Sequence, residues 1–142
     1  MNLSHVPLRL ATGAFILNSG LTKRGVPREA AEGMQGMASA AFPQLGSMEP
    51  EQFAKVLSTG EMALGAALLA PFVPSTVAGA GLTGFGASLL KMYVSMPGMT
   101  QPGSVRPTQE GTAIAKDVWL VGAGLTLLLG GLRSRRSGAA AS

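Results

Sequence analysis

The stretch TAIAKDVWLVGAGLTLLLGGL occupies residues 112–132, and it contains no charged residue after Asp117. It is as long as the roughly 17–25 residues that a helix needs to cross a bilayer. An amphipathic helix of a soluble bundle needs a polar residue at every third or fourth position, whereas residues 118–132 offer only Thr126. The stretch therefore predicts a helix surrounded by lipid rather than by water.

Three further apolar stretches have a similar length. They cover residues 6–21, 53–73 and 75–94. None of the three is uncharged throughout, because they contain Arg9, Glu61 and Lys91 in turn. Together with the fourth stretch they predict an all-α fold, a four-helix transmembrane bundle that forms one domain over residues 1–132.

The composition favours a membrane protein. Only 13% of the residues are charged, against about 25% in soluble domains. The alternative is an unusually glycine-rich soluble bundle in which the apolar helices form the core. A soluble surface needs about 30% charged residues, so the scarcity of charge disfavours that alternative. The predicted location is the cell membrane with several passes, and the loop charges define no orientation.

The segments between the spans are unequal in length. The first loop covers residues 22–52, and its part 28–41 is a candidate for a short interfacial helix. A tight turn separates the second and third spans, because prolines end helices. The basic tail at residues 133–142 is predicted to be disordered.

Residue types exclude several chemistries. The chain has no Cys and a single His, which rules out disulfides, thiol nucleophiles and Cys- or His-rich metal sites. His5, close to the N-terminus, gives no basis for a Ser/His/Asp triad. The sequence thus predicts no metal and no intrinsic redox or hydrolytic centre, and a redox cofactor such as a quinone would have to be bound.

Small residues recur at helical spacing in the first, third and fourth predicted spans. Residues 79–84 match the GxGxxG pattern, but the strand and the distant acidic residue of a dinucleotide site are missing. In a bilayer, small residues instead let helix backbones approach closely. The residues predicted to pack helix against helix are Gly13, Gly20, Gly65, Ala80, Gly84, Gly122 and Gly130.

Ionisable residues meet at one end of the predicted bundle, because consecutive spans run antiparallel. Glu61 lies about eight residues, or roughly 12 Å, inside the second span. A carboxylate at that depth costs a few kcal/mol, so it must face the interior and find a cation or a proton. Lys23 and Lys91 are the candidate cations, and Asn18 is a candidate hydrogen-bond donor.

Two interpretations of this end stay open. These residues form either a polar pocket or a structural ion pair. They are Glu61, Lys23, Lys91 and Asn18, with Asp117 at the start of the fourth span. A pocket would hold a quinone headgroup, an anion or a proton. A buried ion pair would instead define the register of the helices.

Several of these residues resemble the pattern of the DoxX-like family of membrane proteins. Residues 8–15, LRLATGAF, and 18–23, NSGLTK, are similar to the opening of that family's first span. Residues 60–65, GEMALG, resemble the glutamate-containing start of its second span. The pattern positions are Arg9, Gly13, Gly20, Lys23, Glu61 and Gly65. The resemblance covers all four spans and carries over no catalytic role.

The resemblance implies a function in redox chemistry. Some DoxX-like proteins are the membrane subunit of a thiosulfate:quinone oxidoreductase, and others are associated with sulfurtransferase or superoxide-handling partners. An accessory subunit that holds a redox or oxidative-stress partner at the bilayer is therefore expected. The alternatives are a quinone-linked oxidoreductase subunit that uses Glu61, and a small anion or proton permeation protein. The implied partners are lipid, a membrane or soluble oxidoreductase and a second copy of the chain, but not nucleic acid.

Overall fold

The computed structural model describes residues 3–139, and within that range the regular elements are helices without any strand. This confirms the all-α prediction. Short 3₁₀ turns precede the first helix and follow the second. The α-helices of the described range are α1 (Val6–Thr22), α2 (Arg28–Ala41), α3 (Pro50–Leu69), α4 (Ser75–Ser95), α5 (Thr112–Ala115) and α6 (Val118–Ala139).

The helix bounds follow the predicted apolar stretches closely. Helices α1 and α4 end within one residue of the prediction, and α2 coincides with the helix expected in the first loop. Helix α3 ends at Leu69, four residues before the predicted end at residue 73. The reason is that Pro71 and Pro74 cannot donate backbone hydrogen bonds.

The fourth stretch differs from its prediction at both ends. It is broken at Lys116 and Asp117, which separate α5 from α6. The prediction of a disordered tail is wrong for residues 133–139, because α6 continues without a proline to Ala139. Its serines 134 and 137 bond the carbonyls four residues before them. Residues 140–142 of the predicted tail lie outside the described residues.

Helices α1 and α3 approach so closely that only glycine fits between them. A Cβ added at Gly65 would lie 2.5 Å from the backbone N of Leu17, and one at Gly20 would lie 2.8 Å from the carbonyl O of Ser58. At Gly13 it would meet the side chain of Leu69 at 2.9 Å. The predicted packing roles of these three glycines are confirmed.

Helices α4 and α6 form a second close pair, but through other glycines than predicted. A Cβ at Gly79 would lie 2.5 Å from the backbone N of Leu128, and Gly86 and Gly124 also face the partner helix.

The predicted small-residue faces of α4 and α6 were wrong at three positions. Ala80 is exposed, and a Cβ at Gly84 or Gly122 would meet no atom of the described chain within 4 Å. The packed face is rotated by about one residue, or 100°. Gly130 does lie at a contact, although with the ring of His5 rather than with a helix backbone.

An apolar core joins the two helix pairs. Its fully buried members come from α1, α3, α4 and α6, so all four long helices of the described range contribute. They are Ile16, Leu68, Ala78, Leu82 and Leu127. Contact between α1 and α6 is slight compared with that inside each pair, which leaves space between the pairs.

Arg9 of α1 closes the end of α3. Its side chain is buried, with a residue exposure of 2%. The guanidinium donates hydrogen bonds to the carbonyls of Ala67, Leu68, Ala70 and Val73, at 2.7–2.9 Å. A helix end leaves its last carbonyls without intrahelical partners, and the five-donor fork of Arg is suited to several of them at once. Arg9 is thus a C-terminal cap supplied by a neighbouring helix.

Replacing Gly79 with Ala should loosen the α4–α6 pair. The added methyl group overlaps backbone atoms, which cannot move aside cheaply, so we expect a loss of about 1–3 kcal/mol in unfolding free energy. Gly84→Ala, on the same helix but with open space around it, is the matched control and should be nearly neutral. Thermal unfolding of the purified variants measures both, and equal midpoints would contradict the assigned packing face.

Candidate functional site

A buried ion pair links α1 to α3 at the end opposite Arg9. The Nζ atom of Lys23 lies 2.9 Å from Oε2 of Glu61, and the two side chains are 22% and 4% exposed. The same ammonium group donates to the hydroxyl of Ser19 at 2.6 Å. Glu61 was expected to face the interior and to find a cation or a proton there; the structure places it inward, against Lys23.

Local structure places the two charges. Lys23 is the C-cap residue of α1, where a cation also faces the negative end of the helix dipole. Glu61 lies on the buried face of α3, on which Ser58 and Gly65 also lie. Because Ser58 donates to the carbonyl of Gly20 at 2.7 Å, the two helices are held in register one turn away from the pair.

The pair forms part of the wall of a cavity of about 400 Å³. The cavity lies between the α1–α3 pair and the α4–α6 pair, under helix α2. Most of its lining is apolar, with aromatic and methionine side chains among the contributors. The lining from the long helices includes Phe15, Ile16, Ser19, Phe53, Leu57, Glu61, Phe85, Ser88, Leu89, Met92 and Leu120.

The break between α5 and α6 adds two more ionisable groups to this wall. Lys116 and Asp117 both line the cavity, and Asp117 is half-buried while Lys116 is exposed. Asp117 was predicted as a pocket residue, and the structure places it there. Four ionisable side chains therefore lie around one mostly apolar space.

Two predicted members of the site are absent from it. Lys91 is not a partner of Glu61, because its Nζ atom lies 4.2 Å from the centre of the Phe42 ring in a cation–π contact. Asn18 is exposed, and the neighbouring Ser19 bonds Lys23 instead. Sequence reasoning missed Ser19, although its spacing of four residues from Lys23 places both on one helix face.

Helix α2 covers the cavity from the side of the loops. It contributes Met34, Met37 and Ala38 to the lining. The side chain of Gln35 holds the helix to the following segment through hydrogen bonds of 2.7 Å to the carbonyls of Leu45 and Met48. Helix α2 is therefore fixed to the segment that follows it by specific hydrogen bonds.

An exposed charge cluster anchors the start of α2. The Arg28 guanidinium pairs with Glu32 at 2.9 Å and with Glu51 of α3 at 3.0 Å. The hydrogen bond to Glu32, together with the charges of Glu51 and Glu49, raises the pKa of Arg28. Exposed pairs of this kind contribute little stability, so the cluster orients α2 more than it stabilises the fold.

Comparisons with known proteins identify no family for this chain. No family model, no curated protein and no solved structure matches the chain. The resemblance to DoxX-like proteins therefore stays a prediction. Within residues 3–139, no group of three or more His, Asp or Glu side chains is arranged to hold a metal ion.

Removing Lys23 and removing Glu61 should lower the unfolding free energy by different amounts. Lys23→Met leaves the more deeply buried Glu61 carboxylate without a cation, and removal of one partner of a buried pair costs up to about 3–5 kcal/mol. Glu61→Gln should cost less, because Lys23 is partly exposed and keeps its bond to Ser19. The double variant should recover part of the loss.

Unfolding free energies of the single and double variants measure this coupling. Lys91→Met is the control, and we expect it to change stability by less than about 1 kcal/mol, as is usual for an exposed charge. The assignment of Lys23 as the partner fails if Lys91→Met destabilises the protein as much as Lys23→Met does.

Proposed function

We propose that the chain is an integral membrane protein that crosses the bilayer with its four long helices. Two segments are long and apolar enough to do so by length and composition, Ser75–Ser95 and Thr112–Ser134. Helix α1 has 17 residues and α3 has 20. At about 1.5 Å per residue, helices of that length reach roughly 26–30 Å, close to the thickness of the hydrocarbon layer.

The surface of these helices supports the proposal. In the most apolar 18-residue stretch of each segment only 28% and 22% is buried inside the protein, whereas the core helix of a soluble protein is mostly buried. Soluble monomers rarely expose large contiguous apolar patches. Exposed large apolar side chains on α1, α4 and α6 include Leu10, Phe15, Leu21, Val77, Val94, Val118, Trp119, Leu125, Leu129 and Leu132.

We further propose that the cavity binds a small, mostly apolar molecule with a hydrogen-bonding headgroup. The observation that carries this is the buried Lys23–Glu61 pair in the wall of an apolar space of about 400 Å³. Ligand sites in proteins have volumes of about 300–1,000 Å³ and combine apolar walls with a few polar groups. The cavity meets both conditions.

A quinone belongs to this chemical class. Its flat ring suits walls made of Phe15, Phe85 and Leu89, and its carbonyl oxygens accept hydrogen bonds of the kind that lysine donates. Lys116 is the candidate donor, since the Lys23 ammonium is already engaged by Glu61 and Ser19. A bound quinone would supply redox chemistry that none of the side chains of this chain offers.

The accessory-subunit role and the permeation role are weaker proposals. The first rests on the resemblance to DoxX-like proteins. The second rests on ionisable groups inside an apolar bundle, which mark ion pathways in many membrane proteins. Close packing through Gly13, Gly20, Gly79 and Gly124 favours a binding site at one end over an open path.

A charged residue placed on the exposed face of α6 should be penalised in lipid but not in water, so it tests the membrane proposal. Leu125 is 41% exposed and lies two residues from the centre of the apolar segment Thr112–Ser134. In lipid, Leu125→Arg is penalised by about 2.5–3.5 kcal/mol near mid-span, so less of the chain should remain in membranes washed with alkaline carbonate. Leu3→Arg, also exposed but before α1, is the control. A wild-type chain released by the wash would contradict the membrane proposal.

Filling the cavity should weaken the binding of a methyl-substituted benzoquinone. Ser88 lines the cavity, while Ala87 of the same helix is exposed and does not. Ser88→Phe should weaken saturable binding about tenfold or more because the cavity becomes overpacked, and Ala87→Phe should leave it unchanged. Saturable quenching of Trp119, the single tryptophan, reports binding in lipid nanodiscs.

A second pair of variants tests the headgroup contact. Lys116→Met should weaken binding about tenfold, as expected for the loss of a charged hydrogen bond. Lys55→Met replaces an exposed lysine that is not in the cavity wall and should have no effect. The proposal fails if no saturable binding occurs, or if neither Ser88→Phe nor Lys116→Met changes it.

A further inference from the structure

A second apolar space lies on the outside of the bundle, between α1 and α6. It has a volume of about 380 Å³. Helix α1 contributes Ala11 and Thr12, and α6 contributes Trp119 and Ala123. We call this space the α1/α6 groove. It exists because α1 and α6 belong to different close pairs and barely touch.

The groove and the cavity adjoin. Both are lined by Phe15, Lys116, Asp117 and Leu120. The Phe15 ring, 61% exposed, forms part of both walls. A molecule with its headgroup beside Lys116 would therefore lie where the interior cavity borders the groove on the surface of the bundle.

The chemistry of the groove changes along its length. Lys116 and Asp117 make one end polar. Farther along, the wall is apolar, and even Thr12 turns its hydroxyl away to donate to the carbonyl of Leu8 at 2.7 Å. The groove thus matches an amphipathic molecule with one polar end and a long hydrocarbon chain.

We propose that the ligand of the cavity carries a long apolar chain, and that this chain leaves the protein through the α1/α6 groove. This inference rests on the proposed function, because it assigns the headgroup to the cavity described above. A lipid-soluble molecule is the occupant to which the geometry points. A helix of another protein could cover the groove, but it could not also enter the cavity.

Because lipid tails are as apolar as the groove, the chain gains little affinity from the bilayer by entering it. The groove instead gives the apolar chain of the ligand a way out of the protein, so that a headgroup with a long chain can still reach Lys116. Blocking the groove should consequently exclude a long-chain ligand and spare a short one.

The experiment compares two probes in lipid nanodiscs, a labelled benzoquinone with a methyl substituent and the same benzoquinone with a decyl chain. Ala11 is exposed and lines the groove, while Ala14 of the same helix is exposed and lines neither space. Ala11→Phe should weaken binding of the decyl probe about tenfold or more through overpacking, with unchanged binding of the methyl probe. Ala14→Phe should bind both probes like the wild type.

The outcomes distinguish this inference from the proposal on which it rests. If the wild type binds the methyl probe but Ala11→Phe leaves decyl binding intact or weakens both probes alike, the chain does not use the groove. An equal loss of decyl binding in Ala14→Phe overturns the inference too, because the effect would then come from any bulky lipid-facing residue. A wild type that binds neither probe refutes the cavity site itself.

Discussion

Close backbone approach at glycines is the constraint from which the rest of the structure follows. Gly20 and Gly65 bring α1 against α3, while Gly79 and Gly124 bring α4 against α6. Any side chain larger than hydrogen at these positions would overlap backbone atoms of the partner helix. Bundles with small residues at helix contacts gain their stability from dispersion forces, and those forces act here within each pair more than between pairs. The cavity and the α1/α6 groove are the spaces that this arrangement leaves.

Buried charge holds the α1–α3 pair at both of its ends, by two different means. At one end Arg9 meets only neutral acceptors, and the charge is stabilised by several carbonyl dipoles at the C-terminal end of α3. At the other end Lys23 meets a full opposite charge on Glu61. The first arrangement uses all five donors of the planar fork, since Nη1 of Arg9 also donates to the hydroxyl of Ser75 at 3.3 Å. The second lies in the wall of the cavity.

Sequence patterns predicted the helices well and their contact faces less well. The scarcity of polar residues and the position of prolines located α1 and α4 almost to the residue, and the interfacial helix expected at residues 28–41 coincides with α2. The contact face of α4 was predicted one position away from the true one, because Ala80 and Gly84 form as regular a small-residue stripe as the real contacts at Gly79 and Gly86. Local periodicity contains no information about which of two similar stripes meets a partner.

In the candidate site, too, the sequence predicted some features and left others to the tertiary structure. Antiparallel order alone predicted that Glu61 and a lysine would lie at one end of the bundle, but it left Lys23 and Lys91 equivalent. The packing of α1 on α3 chose Lys23, and Lys91 turned to the ring of Phe42 instead. Amino-acid order was sufficient for the helical class and for the position of each charge along its helix, since these depend on neighbours along the chain. The cap formed by Arg9, the pairing of the helices and the two adjoining spaces depend on contacts between distant segments, and only the folded arrangement decides them.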